Sequence, residues 1–183
     1  MAIRDLDPTD VALREQLAVI AFEAAAINAP AWLPTLDDAR KEVDDATMKG
    51  QVARVLFDEA GAPIGWASCA HQYDGVWELH PMLIAPAHHR RGYGTKLARD
   101  IERQVASRGA SVLVLSTSDS TNATSLSDTD LYGDPIDALA NLTFNKDHPV
   151  RFWQRIGYRV VGVVPDAEGP GIPSISLARR PRG

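Results

Sequence analysis

The chain has 183 residues, 45% hydrophobic and 23% charged, a composition typical of a soluble globular protein, and its length predicts a single domain over residues 1–183. No apolar run approaches the ~20 residues of a membrane span, and the formal net charge of −5 argues against nucleic acid as the main partner. The N-terminus lacks a basic-then-apolar secretory pattern, so we expect a cytoplasmic protein.

Hydrophobic periodicity and turn residues predict strands and helices along the whole chain. In chain order the predicted elements are a strand at 3–6, a helix capped by Thr9 or Asp10 with apolar residues from Leu13 to Ile27, a helix at about 36–48, strands at 52–57, 64–70 and 76–84, a helix at 94–108, a strand at 111–117, helices near 135–141 and at 148–156, and strands at 158–164 and 172–178. The single Cys69 lies among small apolar residues of a predicted strand, so we expect a core side chain rather than a nucleophile.

A basic, glycine-containing turn separates the strand predicted at 76–84 from the next helix. It reads His88-His89-Arg90-Arg91-Gly92-Tyr93-Gly94-Thr95. The N–H groups of a first helical turn have no intrahelical partner, glycine lets a ligand approach the backbone, and the helix dipole favours negative charge. We therefore interpret this segment as a pyrophosphate-binding turn.

Other interpretations of the same turn fit less well. An ordinary strand-to-helix turn with solvated basic side chains is the structural alternative. A dinucleotide-binding turn of the G-x-G-x-x-G type requires a third small residue where Leu97 stands, and a Walker-type loop is excluded because the sequence lacks Gly-Lys-Ser/Thr.

A polar segment from Ser116 to Asn145 contains five acids and no Lys or Arg. The acids are Asp119, Asp128, Asp130, Asp134 and Asp137. A polar segment of this length in a small domain is more often functional than idle. The segment suits a cationic substrate, and a solvated acidic loop is the alternative.

The glycine turn resembles the acyl-CoA-binding motif of the GCN5-related N-acetyltransferases, usually written Q/R-x-x-G-x-G/A, with His89 in the Gln or Arg position. Further segments resemble the chromosomal-type aminoglycoside 6′-N-acetyltransferases, and this likeness is continuous from about Gly75 to the C-terminus. These segments are Trp77-Glu78-Leu79-His80-Pro81, residues 105–109 and 125–132, His148-Pro149 with Phe152, and residues 157–165. The resemblance implies an α/β (α+β) fold with a mixed, mostly antiparallel central sheet, a splayed strand pair and flanking helices.

The resemblance also implies an activity. It is the direct transfer of an acetyl group from acetyl-CoA to the 6′-amine of an aminoglycoside in a ternary complex, by a homodimer that confers antibiotic resistance and needs no metal. Two alternatives remain open at this point. One is acetylation of another polycationic amine, such as a polyamine, an amino sugar or a protein N-terminus; the other is a CoA-binding protein with weak catalysis.

The residues that the resemblance assigns to acetyl-CoA come from two regions. The amide of Met82 corresponds to the donor to the thioester oxygen, and Leu83 and Ile84 to the strand that pairs with the pantetheine arm. The predicted phosphate-binding residues are His89, Arg90, Arg91, Gly92, Tyr93, Gly94 and Thr95.

Trp153 stands where the superfamily often has a tyrosine that protonates the leaving thiolate. An indole N–H cannot do this, so we expect Trp153 to be a wall or a hydrogen-bond donor to the cofactor, and Tyr158 is the candidate substitute acid.

The acceptor amine requires a carboxylate that can hold it and take its proton. An alkylammonium with a pKa of ~10 is almost entirely protonated at pH 7, so a base must take its proton before transfer. The resemblance implies this role for Glu78, for which a solvent-facing strand residue is the alternative. His80 shares its face by alternation and is either a base or a packed side chain. Asp119 matches an acidic substrate-site position, and Trp32 forms either a wall over the substrate or part of the core.

Overall fold

The structure is a computed structural model that describes residues 1–127, 129–145 and 147–182. Over these residues the chain forms seven strands and five α-helices. They are β1 (Ala2–Asp5), α1 (Val11–Asn28), α2 (Leu36–Ala46), β2 (Gln51–Phe57), β3 (Pro63–Tyr73), β4 (Val76–Ile84), α3 (Tyr93–Ala106), β5 (Val112–Ser118), α4 (Pro135–Ala140), α5 (Pro149–Arg155), β6 (Arg159–Val164) and β7 (Ser174–Arg179).

The packing of the Cα trace divides the chain into two compact units. The first contains residues 1–27 and 32–113 with the C-terminal residues from Arg180, and the second contains residues 28–31 and 114–179. In the first unit β1 to β4 are consecutive antiparallel neighbours, and in the second the strand order is β5-β7-β6. The chain therefore has the predicted mixed α/β architecture, with a mostly antiparallel sheet and flanking helices.

The predicted elements are confirmed in type and order, and most of their ends lie within about two residues of the predicted ones. β4 has the predicted bounds, Val76–Ile84, and Asp10 caps α1 by accepting a hydrogen bond from the Leu13 amide at 2.9 Å. Patterning did not predict the N-cap of α2, where the Thr35 hydroxyl accepts from the Asp38 amide. None of the helices in the described part of the chain has the length and apolar character that a membrane crossing requires.

The core of the first unit lies where α1 and α2 cover the sheet. The completely buried Trp66 of β3 donates its indole N–H to the carbonyl of Leu17 in α1 at 3.1 Å. Val55 of β2 and Leu83 of β4 belong to the same cluster. Burying such apolar side chains contributes about 1.5–3 kcal/mol each, so this cluster fixes α1 and α2 against the strands.

β4 contains one residue more than β3 between the pairs Ala67–Met82 and Cys69–Leu79. Ala67 lies opposite Met82, whereas Cys69 lies opposite Leu79, so three steps along β4 correspond to two steps along β3. An extra residue of this kind is a β-bulge, which leaves one residue out of the ladder and increases the local twist. The bulge lies just before Met82, the residue whose amide was predicted to act on the substrate.

Cys69 is completely buried, which confirms the prediction of a core side chain. Burial raises the pKa of its thiol, and the nearby charge of Glu78 adds to this increase. A thiol in that environment stays protonated near neutral pH and is a poor nucleophile.

Candidate active site

The turn before α3 has the geometry of an anion-binding helix start. Gly92 is the N-cap residue of this 14-residue helix, with φ 81° and ψ 2°, and the first turn contains no acid. A Cβ at this position would meet no atom within 4 Å, so the left-handed backbone rather than lack of space requires glycine. Arg90, Arg91 and Gly92 are all exposed. Exposed N–H groups and guanidinium groups at one helix start form a suitable site for phosphate.

His89 binds the end of β4. Its Nε2 lies 2.7 Å from the carbonyl oxygen of Ile84, and the ring is partly buried. A carbonyl can only accept, so Nε2 carries the hydrogen. The structure shows a contact that holds strand and turn together, and binding of the cofactor by residue 89 stays a prediction.

The three strand residues predicted to face the acyl donor differ in exposure. The Leu83 side chain is buried opposite Trp66, whereas Met82 and Ile84 are partly exposed. The Leu83 side chain is therefore not accessible to a ligand, and pairing of this residue with the pantetheine arm would use its backbone. A role for the Met82 amide remains a prediction, and the bulge beside it provides the local irregularity that such a role needs.

Glu78 lies on the face of the sheet that α1 and α2 cover. It is opposite Ala70, which is four positions from Trp66 along β3 and so shares the face of that indole. Met82 is opposite Ala67 and lies on the other face, because Ala67 and Ala70 are three positions apart along β3 and side chains alternate between faces. The Glu78 carboxylate is partly exposed and accepts a hydrogen bond from the Gln72 side-chain amide at 2.9 Å. This bond orients the carboxylate and leaves it accessible to a ligand.

His80 and Trp32, both predicted substrate contacts, are brought together. Their ring centroids lie 5.2 Å apart with the planes inclined by 57°. His80 is exposed, whereas Trp32 is partly buried and packs against the core of the first unit. Packing against the core agrees with the core alternative for Trp32, and its role as a wall over the substrate stays a prediction.

Sequence reasoning missed Glu42, which contacts the same imidazole. Its Oε1 lies 3.2 Å from His80 Nε2. The two residues are far apart in the sequence, and Glu42 lies in a helix rich in charged residues. No local signal distinguishes it from its charged neighbours.

Asp119 belongs to the second unit and is completely buried. Its carboxylate accepts hydrogen bonds from the Ala123 amide at 2.7 Å, from the Thr124 amide at 3.1 Å and hydroxyl at 2.6 Å, and from the Ser127 hydroxyl at 2.5 Å. The geometry does not support the predicted contact between Asp119 and a substrate, because none of its side chain is exposed. Asp119 instead organises the loop that follows β5.

The other acids of the polar segment also serve local structure. Asp130 accepts from the Tyr132 amide at 3.0 Å, and Asp134 caps α4 by accepting from the Asp137 amide at 2.9 Å. Asp128 lies outside the described residues. The composition of this segment therefore reflects caps and turns at these positions.

His148 joins β5 to α5 within the second unit. Its Nε2 lies 3.0 Å from the Ser118 carbonyl and 3.8 Å from Asp119 Oδ1, and its Nδ1 accepts from the Val150 amide at the start of α5. Burial lowers the pKa of this histidine, although the Ser118 carbonyl and the Asp119 charge oppose the shift. These contacts define a neutral imidazole with its hydrogen on Nε2.

Trp153 is buried in an aromatic cluster of the second unit. Its ring packs edge-on against Phe152 at 4.9 Å and Tyr158 at 5.0 Å, and only 5% of the residue is exposed. The structure therefore shows Trp153 as a core residue of this unit. Tyr158, considered above as a substitute acid, is completely buried.

The fold and the turn before α3 define an acyltransferase class, and comparison with known proteins identifies the family. The profile of the Acetyltransferase (GNAT) family matches residues 20–128, more than half of the chain. The protein therefore belongs to the GNAT family and is an acetyltransferase.

Solved structures extend the similarity to the whole chain. An aminoglycoside 6′-N-acetyltransferase complexed with coenzyme A is 30% identical, with a TM-score of 0.88 and coverage of 100% of this chain and 98% of that chain. The aminoglycoside 6′-N-acetyltransferase from Enterococcus faecium is also 30% identical, with a TM-score of 0.85 and the same coverage. An aminoglycoside 6′-acetyltransferase type Ii is 26% identical, with a TM-score of 0.72 and coverage of 100% and 99%. These matches confirm the resemblance. The sequence has no match among curated proteins.

Proposed function

We propose that the protein transfers the acetyl group of acetyl-CoA directly to the 6′-amine of aminoglycosides. The observation that carries this proposal is the full-length similarity to an aminoglycoside 6′-N-acetyltransferase at a TM-score of 0.88. The same resemblance supports one acetyltransferase domain over residues 1–183, a homodimer in the cytoplasm, a role in antibiotic resistance and a reaction without a metal.

The first unit supplies residues that fit the acyl donor. The N–H groups of the turn from Arg90 to Thr95 would hold the pyrophosphate, with both arginines adding positive charge. Backbone groups of Met82 to Ile84 would bind the pantetheine arm and the thioester oxygen. Acetyl-CoA, when bound, supplies an acetyl thioester whose departing thiol has an ordinary pKa of ~8.5.

The acceptor amine binds at Glu78 in this proposal. The carboxylate attracts the ammonium group and accepts its proton, directly or through a water molecule. Gln72 holds the carboxylate in one orientation through the 2.9 Å hydrogen bond. Trp32 and His80 provide an aromatic surface, which suits a cation because a ring face is electronegative.

No dedicated acid for the thiolate is required. The Trp153 indole cannot donate a proton in this pH range, and the residue is buried. A thiolate with a pKa of ~8.5 is a tolerable leaving group near neutral pH and takes a proton from solvent afterwards. The proposal therefore assigns the chemistry to Glu78 and the Met82 amide alone.

A thiol-release assay with acetyl-CoA and a panel of amines tests this proposal. We expect release with aminoglycosides that carry a 6′-amine and none with their 6′-hydroxyl analogues. Thiol release with polyamines only would show that the acceptor is a polyamine. Tight binding of coenzyme A without thiol release would indicate a weakly catalytic binding protein.

A further inference from the structure

The imidazole of His80 contacts two residues that lie outside the sheet. Its Nε2 lies 3.2 Å from Glu42 Oε1 in α2, and its ring packs against Trp32 in the loop between α1 and α2. An imidazole nitrogen beside a carboxylate donates a hydrogen in the Nε2–H tautomer and in the protonated form alike. The contact with Glu42 therefore persists whichever of these two states is present.

Glu42 is less exposed than an ordinary surface acid. Its side chain is only 15% exposed, compared with 56% for that of His80. Removing a carboxylate from water is unfavourable unless a donor compensates, so the imidazole N–H stabilises Glu42 in this position. The dependence is mutual, because the exposed imidazole takes its orientation from the partly buried acid.

The helix that carries Glu42 is fixed to its surroundings. Ala39, Val43 and Ala46 of α2 are buried in the core of the first unit. Arg40 binds both carboxylate oxygens of Glu15 in α1, at 2.6 and 2.9 Å. A side chain on this helix has a defined position from which it can orient a residue of β4.

We propose that Glu42 is a positioning residue of the acceptor site: it fixes His80, and through His80 the exposed side of the Trp32 indole, beside the strand that carries Glu78. The inference rests on the proposed function, because the acceptor site is the one assigned there to a polycationic amine. Glu42 does not itself touch the reacting atoms. It limits the orientations of the aromatic surface over which the amine lies, so its loss weakens acceptor binding more than the chemical step.

Steady-state kinetics with acetyl-CoA and a 6′-amino aminoglycoside test the proposal. We expect Glu42→Ala to raise KM for the aminoglycoside by about 5- to 10-fold, the effect of losing one hydrogen bond, with kcat and the KM for acetyl-CoA within about twofold of wild type. Glu42→Gln retains an acceptor oxygen and should recover most of the loss. Asp45→Asn removes one charge from an exposed residue of the same helix and should behave as wild type.

The NMR signal of the Trp32 indole N–H, assigned with Trp32→Phe, provides a readout that does not depend on activity. We expect Glu42→Ala to shift this signal, and Glu42→Gln and Asp45→Asn to leave it close to its wild-type position. Should Glu42→Ala not fold, Glu42→Met replaces it, because methionine keeps the length of the side chain without the acceptor oxygens.

Two results would overturn the proposal. One is an unchanged aminoglycoside KM together with an unchanged indole signal in Glu42→Ala. The other is a fall in kcat accompanied by rises of similar size in the KM values for both substrates, which indicates a general structural role. Failure of the proposed function is distinguishable from failure of this inference. In the first case the protein would acetylate no 6′-amine, while the Trp32 indole signal would still report the contact between Glu42 and His80.

Discussion

The Nε2 atom of His89 lies 2.7 Å from the carbonyl oxygen of Ile84. This bond joins the last residue of β4 to the turn that precedes α3. In the proposed function β4 pairs with the pantetheine arm and the turn holds the pyrophosphate, so one hydrogen bond fixes the spacing of two binding regions. Glutamine and arginine, the usual residues of the family motif at this position, also carry side-chain N–H donors.

Substitution of His89 tests this bond. We expect His89→Ala to raise KM for acetyl-CoA by about 5- to 10-fold, since a hydrogen bond contributes about 0.5–1.5 kcal/mol, and His89→Gln to restore most of the affinity. His71 makes an equivalent bond to the Asp74 carbonyl at 2.7 Å in an exposed turn, so His71→Ala is the matched control. Equal KM values for the alanine variants at positions 89 and 71 would contradict the assignment.

Gly92 is required by its backbone conformation. At φ 81° an alanine costs roughly 1–2 kcal/mol, and we expect Gly92→Ala to weaken acetyl-CoA binding by about tenfold, which corresponds to 1.4 kcal/mol. Gly61 has a similar φ of 85° in the turn between β2 and β3. Gly61→Ala should lower the melting temperature without changing the Kd for acetyl-CoA, as measured by calorimetry. Equal loss of affinity in both variants would show that strain alone explains the result.

Glu78 is the proposed base. We expect Glu78→Ala to lower kcat/KM for a 6′-amino aminoglycoside by at least ~10-fold, because the variant loses a contact made in the transition state. Glu59 is exposed in the turn between β2 and β3, and Glu59→Ala should have wild-type kinetics. An unchanged kcat/KM in Glu78→Ala would remove this carboxylate from the mechanism.

Asp119 should act on stability rather than on substrate binding. It is completely buried and accepts four hydrogen bonds from its own loop, so Asp119→Asn places an amide N–H against donors. We expect a loss of about 2–4 kcal/mol in the free energy of unfolding, measured by urea denaturation. KM for the aminoglycoside should be unchanged in the folded fraction. A stable variant with a raised KM would restore the substrate-binding role.

His148 should make stability depend on pH. Its pKa in the folded protein lies below the ordinary value of 6.5 because of burial, so the unfolded chain binds the proton more readily. Stability is therefore complete above pH 6.5 and falls as the pH drops toward the lowered pKa. We expect His148→Asn, which can still cap α5, to flatten this part of the profile in urea denaturation at several pH values. His71→Asn at an exposed position should leave the profile unchanged, and an unchanged slope in His148→Asn would contradict the assignment.

Local sequence signals predicted the elements that position the site. The bounds of β4 follow from its apolar run and the proline after it, and the start of α3 follows from Gly92. The glycine turn was recognisable because its chemistry depends on backbone groups and neighbouring charges, which the sequence shows directly. These features all lie within short segments of the chain.

Contacts between distant residues were not predictable in this way. The bond between Glu42 and His80 depends on how α2 packs against the sheet, and the burial of Asp119 depends on how its loop folds around the carboxylate. The bulge in β4 became visible only from its register with β3, because the apolar pattern of β4 alone contains no sign of the extra residue. Charge and spacing indicate candidates, and tertiary packing decides which of them reach a ligand.

The central claim is that this chain acetylates the 6′-amine of aminoglycosides. The most direct measurement is the identification, by mass spectrometry and NMR, of the product formed from acetyl-CoA and an aminoglycoside with several amines. We predict a single acetyl group on the 6′ nitrogen. A product acetylated at another nitrogen, or unmodified aminoglycoside after prolonged incubation with active acetyl-CoA, would contradict the claim.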